Sequence, residues 1–154
     1  MTLHFAYGSN MSRALMQPRC PSARALGLAE LMGYRFIISG DGYASVLRAP
    51  GARVHGLLWR LGARDLAALN AYESLATGLY RAETLPVRIG SRRVPALVYL
   101  GRSRILGPPR SGYLELVLAA AEELALPAAY RRGLARLMQG GLRARRTPDA
   151  GEAA

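Results

Sequence analysis

Glycine punctuation restricts what this chain can fold into more than any other feature. Gly40-Asp41-Gly42 separates two β-forming runs, residues 34–39 and 43–49. An Asp-Gly step between such runs is a hairpin signal, because a tight turn needs residues that tolerate positive φ. Gly90-Ser91 separates residues 79–89 from 93–100 in the same way. Residues 54–61 form a further run rich in β-formers and aromatics, and residues 3–7 form a short apolar run stopped by Gly8. Helical signals are fewer. Ser12 can cap a short helix over 12–17, residues 63–73 read as another, and residues 112–126 and 128–138 as two longer ones, the last opened by Pro127. Strands followed by a helical C-terminus specify an α+β fold. Many short strands with glycine-rich turns imply a sheet curled towards a small barrel, flanked by helices.

At 154 residues, the chain has the length of one domain and can bury roughly 70% of its unfolded surface. Residues 1–139 read as that domain. Residues 140–154 carry few apolar anchors and read as a flexible basic tail. The only cysteine, Cys20, cannot form an internal disulfide. No basic region followed by an apolar run opens the chain, so no signal peptide is expected. No stretch approaches the roughly 18 apolar residues of a membrane span, so the cytoplasm is the expected location.

The formal charge is +11, and all 21 basic residues are arginine. Such a balance can mark a nucleic-acid binder. These arginines are scattered, however (Arg13, Arg35, Arg60, Arg88, Arg110), and only the C-terminal part concentrates them. Aromatic content is 7%, and no basic helix carries interleaved aromatics. The charge therefore reads as a solvated face and tail. Nucleic acid is not the expected partner, although a non-catalytic Arg-rich binding module stays open as an alternative.

The segment from Ala63 to Glu73 carries the most chemistry. Its apolar stripe, Leu66 and Leu69, continues at helical spacing onto Glu73. That puts a carboxylate where an apolar side chain belongs, and near a helix C-terminus, where the dipole disfavours an anion. Residues that break local rules are candidates for function, and partial burial would raise the pKa of Glu73 into a range useful for proton transfer. The alternative is that the helix has ended and Glu73 points to solvent. A second candidate is the turn Tyr7-Gly8-Ser9-Asn10, where a strand runs into small polar residues. Such a turn can aim several backbone N–H groups at a carboxylate or an oxyanion. Cys20 reads as a buried thiol, and His4 and His55 are isolated, with no metal-ligand spacing. A serine nucleophile at Ser9 would need one of those histidines nearby in space.

Several of these residues together resemble the γ-glutamylcyclotransferase-like family. Phe5-Ala6-Tyr7-Gly8-Ser9-Asn10-Met11 resembles its first-strand signature, followed by Pro21-Ser22-Ala23. Val54-His55-Gly56-Leu57-Leu58-Trp59 resembles its central strand. Leu69-Asn70-Ala71-Tyr72-Glu73-Ser74 with Gly78-Leu79-Tyr80 is similar to its acidic motif, and Pro108-Pro109 and Tyr113 also fit. The resemblance spans about residues 3–138. It implies a small mixed β-barrel, no metal or organic cofactor, and a small γ-glutamyl amide as substrate, cyclised to 5-oxoproline with release of the amine. It implies Glu73 as the catalytic acid–base, with Tyr7, Gly8, Ser9, Asn10 and Tyr80 binding the substrate. Tyr72, immediately before the glutamate, is commoner in less characterised members. The leaving group, a pseudoenzyme that binds γ-glutamyl ligands without turnover, and a homodimer built through the C-terminal helices all stay open.

Overall fold

The structure, a computed structural model, describes residues 1–73 and 78–146, with side chains as far as residue 140. Five strands and four α-helices lie along the described residues. In chain order they are β1 (Thr2–Ala6), a 3-10 turn (Ser9–Met11), α1 (Arg13–Arg19), β2 (Arg24–Ile38), β3 (Ala44–Leu61), α2 (Ala63–Tyr72), β4 (Tyr80–Ile89), β5 (Arg92–Gly101), α3 (Tyr113–Glu123) and α4 (Ala128–Arg146). The strands close into a barrel in the order β1-β3-β2-β4-β5. All neighbours are antiparallel except β1 and β5, which meet in parallel with His4 opposite Leu97. The α+β mixed barrel expected from the sequence is the one observed.

The two glycine turns form as expected, and Ser12 caps α1, its hydroxyl accepting the Leu15 N–H at 3.3 Å. The strand count differs. Residues 44–49 and 54–61 belong to one long strand, β3, which runs through Pro50-Gly51 without ending there. Gly51, with φ +82°, lies near the register shift between Met32 and Tyr34, where Gly33 has φ +80°. This is a bulge, which curves a strand and helps close a barrel. The first half of β2, residues 24–33, forms a strand although Ala, Leu, Glu and Met are helix formers. Sheet pairing overrides that preference here. At the other end, α4 continues past Met138 to Arg146. Residues 140–146 therefore extend a helix, since Leu, Ala and Arg outweigh the cost of about 1 kcal/mol for each glycine. The remainder of the expected tail, residues 147–154, lies outside the described residues.

Alternation along β3 builds two cores. Leu58 and Val54 join Phe5, Leu31, Val87 and Val98 in a cluster fed by all five strands. Leu57, Trp59 and Leu61 face the opposite way and pack with Met16, Leu69, Leu114 and Val117 of the helices. Each buried leucine contributes about 1.5–3 kcal/mol. The helices are thereby fixed over one side of the barrel, and the ends of β1 and α2 meet there. No helix of the described residues is long and apolar enough to cross a membrane.

Candidate active site

β1 ends at Ala6 and the chain turns through Gly8 into the 3-10 turn. The turn's own hydrogen bonds run from Met11 N–H to the Gly8 carbonyl (3.1 Å) and from Ser12 N–H to the Ser9 carbonyl (3.0 Å). They use none of the N–H groups of Gly8, Ser9 and Asn10, although the Ser9 N–H donates to the Tyr113 hydroxyl. Gly8 is required by space: a Cβ there would lie 2.9 Å from the Tyr113 hydroxyl. From the other side, α2 delivers Glu73. Asp65 anchors the start of that helix, its carboxylate accepting the Gly62 N–H at 3.0 Å and the Ser22 hydroxyl at 3.1 Å. Glu73 caps the far end, its N–H bonded to the Leu69 carbonyl at 2.8 Å.

Between turn and helix lies a cavity of about 200 Å³. All six residues singled out from sequence line it: Tyr7, Gly8, Ser9, Asn10, Glu73 and Tyr80. Glu73 is partly buried in this wall, so the helix has not released it to open solvent. Its Oε1 accepts a hydrogen bond from Asn10 Nδ2 at 2.9 Å, and the Asn10 carbonyl in turn accepts from Trp59 Nε1 at 3.0 Å. Burial pushes the Glu73 carboxyl up to about 7. The Arg19 charge and the Asn10 hydrogen bond pull the other way without cancelling it. Residues 74–77, including Ser74 of the acidic motif, lie outside the described residues.

Sequence reasoning missed most of the aromatic lining, which Tyr43, Tyr99 and Tyr113 complete. A lone tyrosine in sequence carries no signal of the cavity it will face. The hydroxyls differ in what they can offer. Tyr80 donates to the Ala44 carbonyl at 2.8 Å and Tyr7 to the Tyr99 carbonyl, so both present only lone pairs to a ligand. Tyr113 accepts the Ala44 N–H at 3.3 Å and keeps its own proton to donate. Burial raises the pKa of all four tyrosines Tyr7, Tyr80, Tyr99 and Tyr113, the last to about 12. They are hydrogen-bonding groups here and not bases.

His4 also borders the cavity. Its Nδ1 lies 3.1 Å from the Leu97 carbonyl, which can only accept, so Nδ1 carries the proton. Nε2 is buried without a partner. Burial lowers the His4 pKa to about 4, with the Leu97 bond acting the other way. The folded state thus holds this imidazole neutral where the unfolded chain, at about 6.5, would protonate it. The His4 contribution to stability should fall as pH drops from about 6.5 towards 4, by up to about 3 kcal/mol, and it opposes that of the raised Glu73 carboxyl, which grows over the same range. Urea unfolding of wild type and His4→Phe at pH 7.5 and 4.5 separates the two. His4→Phe should lack the acid-side loss and so gain stability relative to wild type at pH 4.5, and an unchanged difference between the two proteins at both pH values would assign the loss to another group.

The remaining candidates lie apart. Cys20 is buried, its thiol directed at the Asp65 carbonyl and its pKa raised by burial, as expected for an inert thiol. His55 stands beside Glu30, at 3.8 Å. Neither histidine hydrogen-bonds Ser9 among the described residues, and no three His, Cys, Asp or Glu side chains there gather as a metal site would.

Known proteins resemble this chain in sequence and in fold. The human and mouse proteins named gamma-glutamylcyclotransferase are each 26% identical over 145 residues, spanning 86% of this chain and 76% of theirs. A solved structure described as a gamma-glutamyl cyclotransferase superposes with a TM-score of 0.80 at 25% identity, covering 86% of this chain and 85% of its own. YkqA from Bacillus subtilis superposes with a TM-score of 0.79 at 26% identity, covering 90% of this chain and 54% of that one. The family model described as "Gamma-glutamyl cyclotransferase, AIG2-like" matches residues 4–115, a span that includes the glycine turn, Glu73 and all of the cavity's tyrosines, and the chain belongs to that family.

Proposed function

We propose that this chain, an enzyme of the gamma-glutamyl cyclotransferase family, cyclises the γ-glutamyl group of a small γ-glutamyl amide to 5-oxoproline, with Glu73 as its acid–base group. The observation that supports this reading best is a carboxyl group, raised to about 7 by burial, that faces a glycine turn across an aromatic-lined cavity. The substrate's α-amine attacks its own δ-carbonyl carbon. A C–N bond forms, a proton passes from the ammonium to Glu73, and the carbonyl oxygen gains negative charge. Collapse expels the amide nitrogen, which takes the proton back from Glu73 as it leaves. One carboxyl group poised near neutrality can serve both transfers.

Nucleophile and electrophile belong to one molecule, so the enzyme's main contribution is to hold that molecule folded for ring closure. The N–H groups of Gly8 and Asn10, with that of Ser9 once released from the Tyr113 hydroxyl, would hold an oxyanion or the substrate carboxylate. Tyr7 and Tyr80, with only lone pairs to offer, suit an ammonium. Tyr113 suits an anionic oxygen next to Gly8.

The test is incubation of the purified protein with γ-glutamyl dipeptides, glutathione and γ-glutamylamines, with 5-oxoproline followed by mass spectrometry. Release from at least one compound is expected, and the best of them identifies the leaving group. Binding without release from any of them would replace the enzyme reading by that of a ligand-binding relative.

A further inference from the structure

Two parts of the cavity wall that are distant in sequence, the glycine turn and the end of α2, are joined by one side chain that lies behind them. Arg19, the last residue of α1, donates from Nη1 to Asn10 Oδ1 at 2.7 Å. Its guanidinium carbon also lies 3.6 Å from the centre of the Tyr72 ring, on the residue before Glu73. A guanidinium has only donors, so the Asn10 amide must turn its oxygen to Arg19 and its NH₂ to Glu73, where the donor sits 2.9 Å from Oε1. Those two bonds leave the side-chain amide one orientation, and Trp59 Nε1 holds the Asn10 backbone carbonyl beside it.

We propose that Arg19 is a positioning residue for the acid–base carboxyl group, fixing the Asn10 amide and the Tyr72 ring so that Glu73 faces the cavity in a single geometry. The inference rests on the role proposed for Glu73. Around that carboxyl group, α1 contributes Arg19, the glycine turn Asn10 and Tyr7, and α2 Tyr72. Tyr80, Tyr99 and Tyr113 come from β4, β5 and α3. Arg19 is the cation that acts on it, and burial keeps Tyr7, Tyr80, Tyr99 and Tyr113 uncharged.

The experiment compares wild type with Arg19→Met, Arg19→Lys, Asn10→Ala and the Arg19→Met/Asn10→Ala double variant. Two readouts are taken. One is kcat and KM for 5-oxoproline release. The other is the titration midpoint of the Glu73 carboxyl by ¹³C NMR of glutamate-labelled protein, assigned with Glu73→Gln. Arg19→Met should lower kcat by about 10²-fold, the cost of a small misplacement at a reacting group, with a smaller change in KM. It should also raise the Glu73 midpoint by about one pH unit, through loss of the nearby charge. Arg19→Lys should return the midpoint towards the wild-type value but leave kcat low, because an ammonium has neither the planar fork nor the stacking face. The double variant should lose little more than Asn10→Ala alone, since both residues act along one chain of contacts.

A wild-type kcat in Arg19→Met, full recovery of kcat by lysine, or additive losses in the double variant would each overturn the proposal. If wild-type protein releases no 5-oxoproline, the proposed function fails by itself. The titration then decides the role of Arg19, and an unmoved midpoint in Arg19→Met refutes it.

Discussion

Glu73→Gln is expected to fold normally and to lose 5-oxoproline release by about 10²–10⁴-fold, the contribution of a positioned general acid–base group. The substitution preserves shape, and an amide oxygen can still accept from Asn10 Nδ2, which bonds Oε1 at 2.9 Å. Only the ability to carry a proton at neutral pH is removed.

A second consequence follows from the folded-state pKa near 7, against 4.5 for the free group. Between those values the folded chain holds a proton on Glu73 that the unfolded chain has lost, so this group's contribution to stability is greatest below about 4.5 and is lost as pH rises through 7. The glutamine variant does not titrate. At pH 8 it should be more stable than wild type by about 2 kcal/mol, a figure reduced for the partial exposure of the site. At pH 4.5 the two should differ little. Mass spectrometry reads the first effect, and urea unfolding at pH 4.5 and 8 reads the second. Activity retained in the variant would remove Glu73 from the mechanism. Lost activity with no gain in stability at pH 8 would place the carboxyl group in solvent and not in the cavity wall.

How far the sequence foretold this site depends on the range of the interactions that build it. Glu73 was legible because it offends two local rules, the apolar stripe of α2 and the sign of the helix dipole. The turn at Gly8 was legible because a strand that stops at glycine before small polar residues has few other readings. The fold class followed from glycine turns alone. Arg19, Tyr99 and Tyr113 were not legible as parts of one site, since they sit at the end of one helix, within a strand and at the start of another helix. Only barrel closure and the packing of α1 and α3 bring them to one cavity. The same limit explains the misread strands. Pro50-Gly51 looks like a break to a local rule, residues 24–33 carry no strand pattern that such a rule detects, and cross-strand pairing decides both.

Among the described glycines, Gly56→Ala should be the most damaging substitution by alanine. Gly56 lies in β3, paired with Ala29 of β2. Its constraint is spatial, because its φ is not among the positive ones. A Cβ built there would fall 2.2 Å from the Ala6 carbonyl oxygen and 2.9 Å from the Phe5 ring. Backbone cannot rotate aside as a side chain can, so β1 would have to move as a unit. β1 has five residues. It is held to β3 over Thr2 to Ala6, and to β5 by the pairing of His4 with Leu97. Displacing it opens the barrel at its parallel seam and carries Tyr7 and the glycine turn away from Glu73. Overpacking of a close-packed interior costs about 1–3 kcal/mol when side chains can adjust, and here a strand must adjust, so a loss of about 3 kcal/mol or more is expected. Turnover should be lost even in whatever fraction folds.

Gly133→Ala is the matched control. Gly133 lies inside α4 with nothing within 4 Å of an added Cβ, and alanine there should stabilise by up to about 1 kcal/mol. Urea midpoints of the two variants, measured with 5-oxoproline release, give the comparison. A Gly56→Ala protein with wild-type stability and activity would mean that β1 does not pass against Gly56 as described, and the seam that positions the glycine turn would have to be drawn elsewhere.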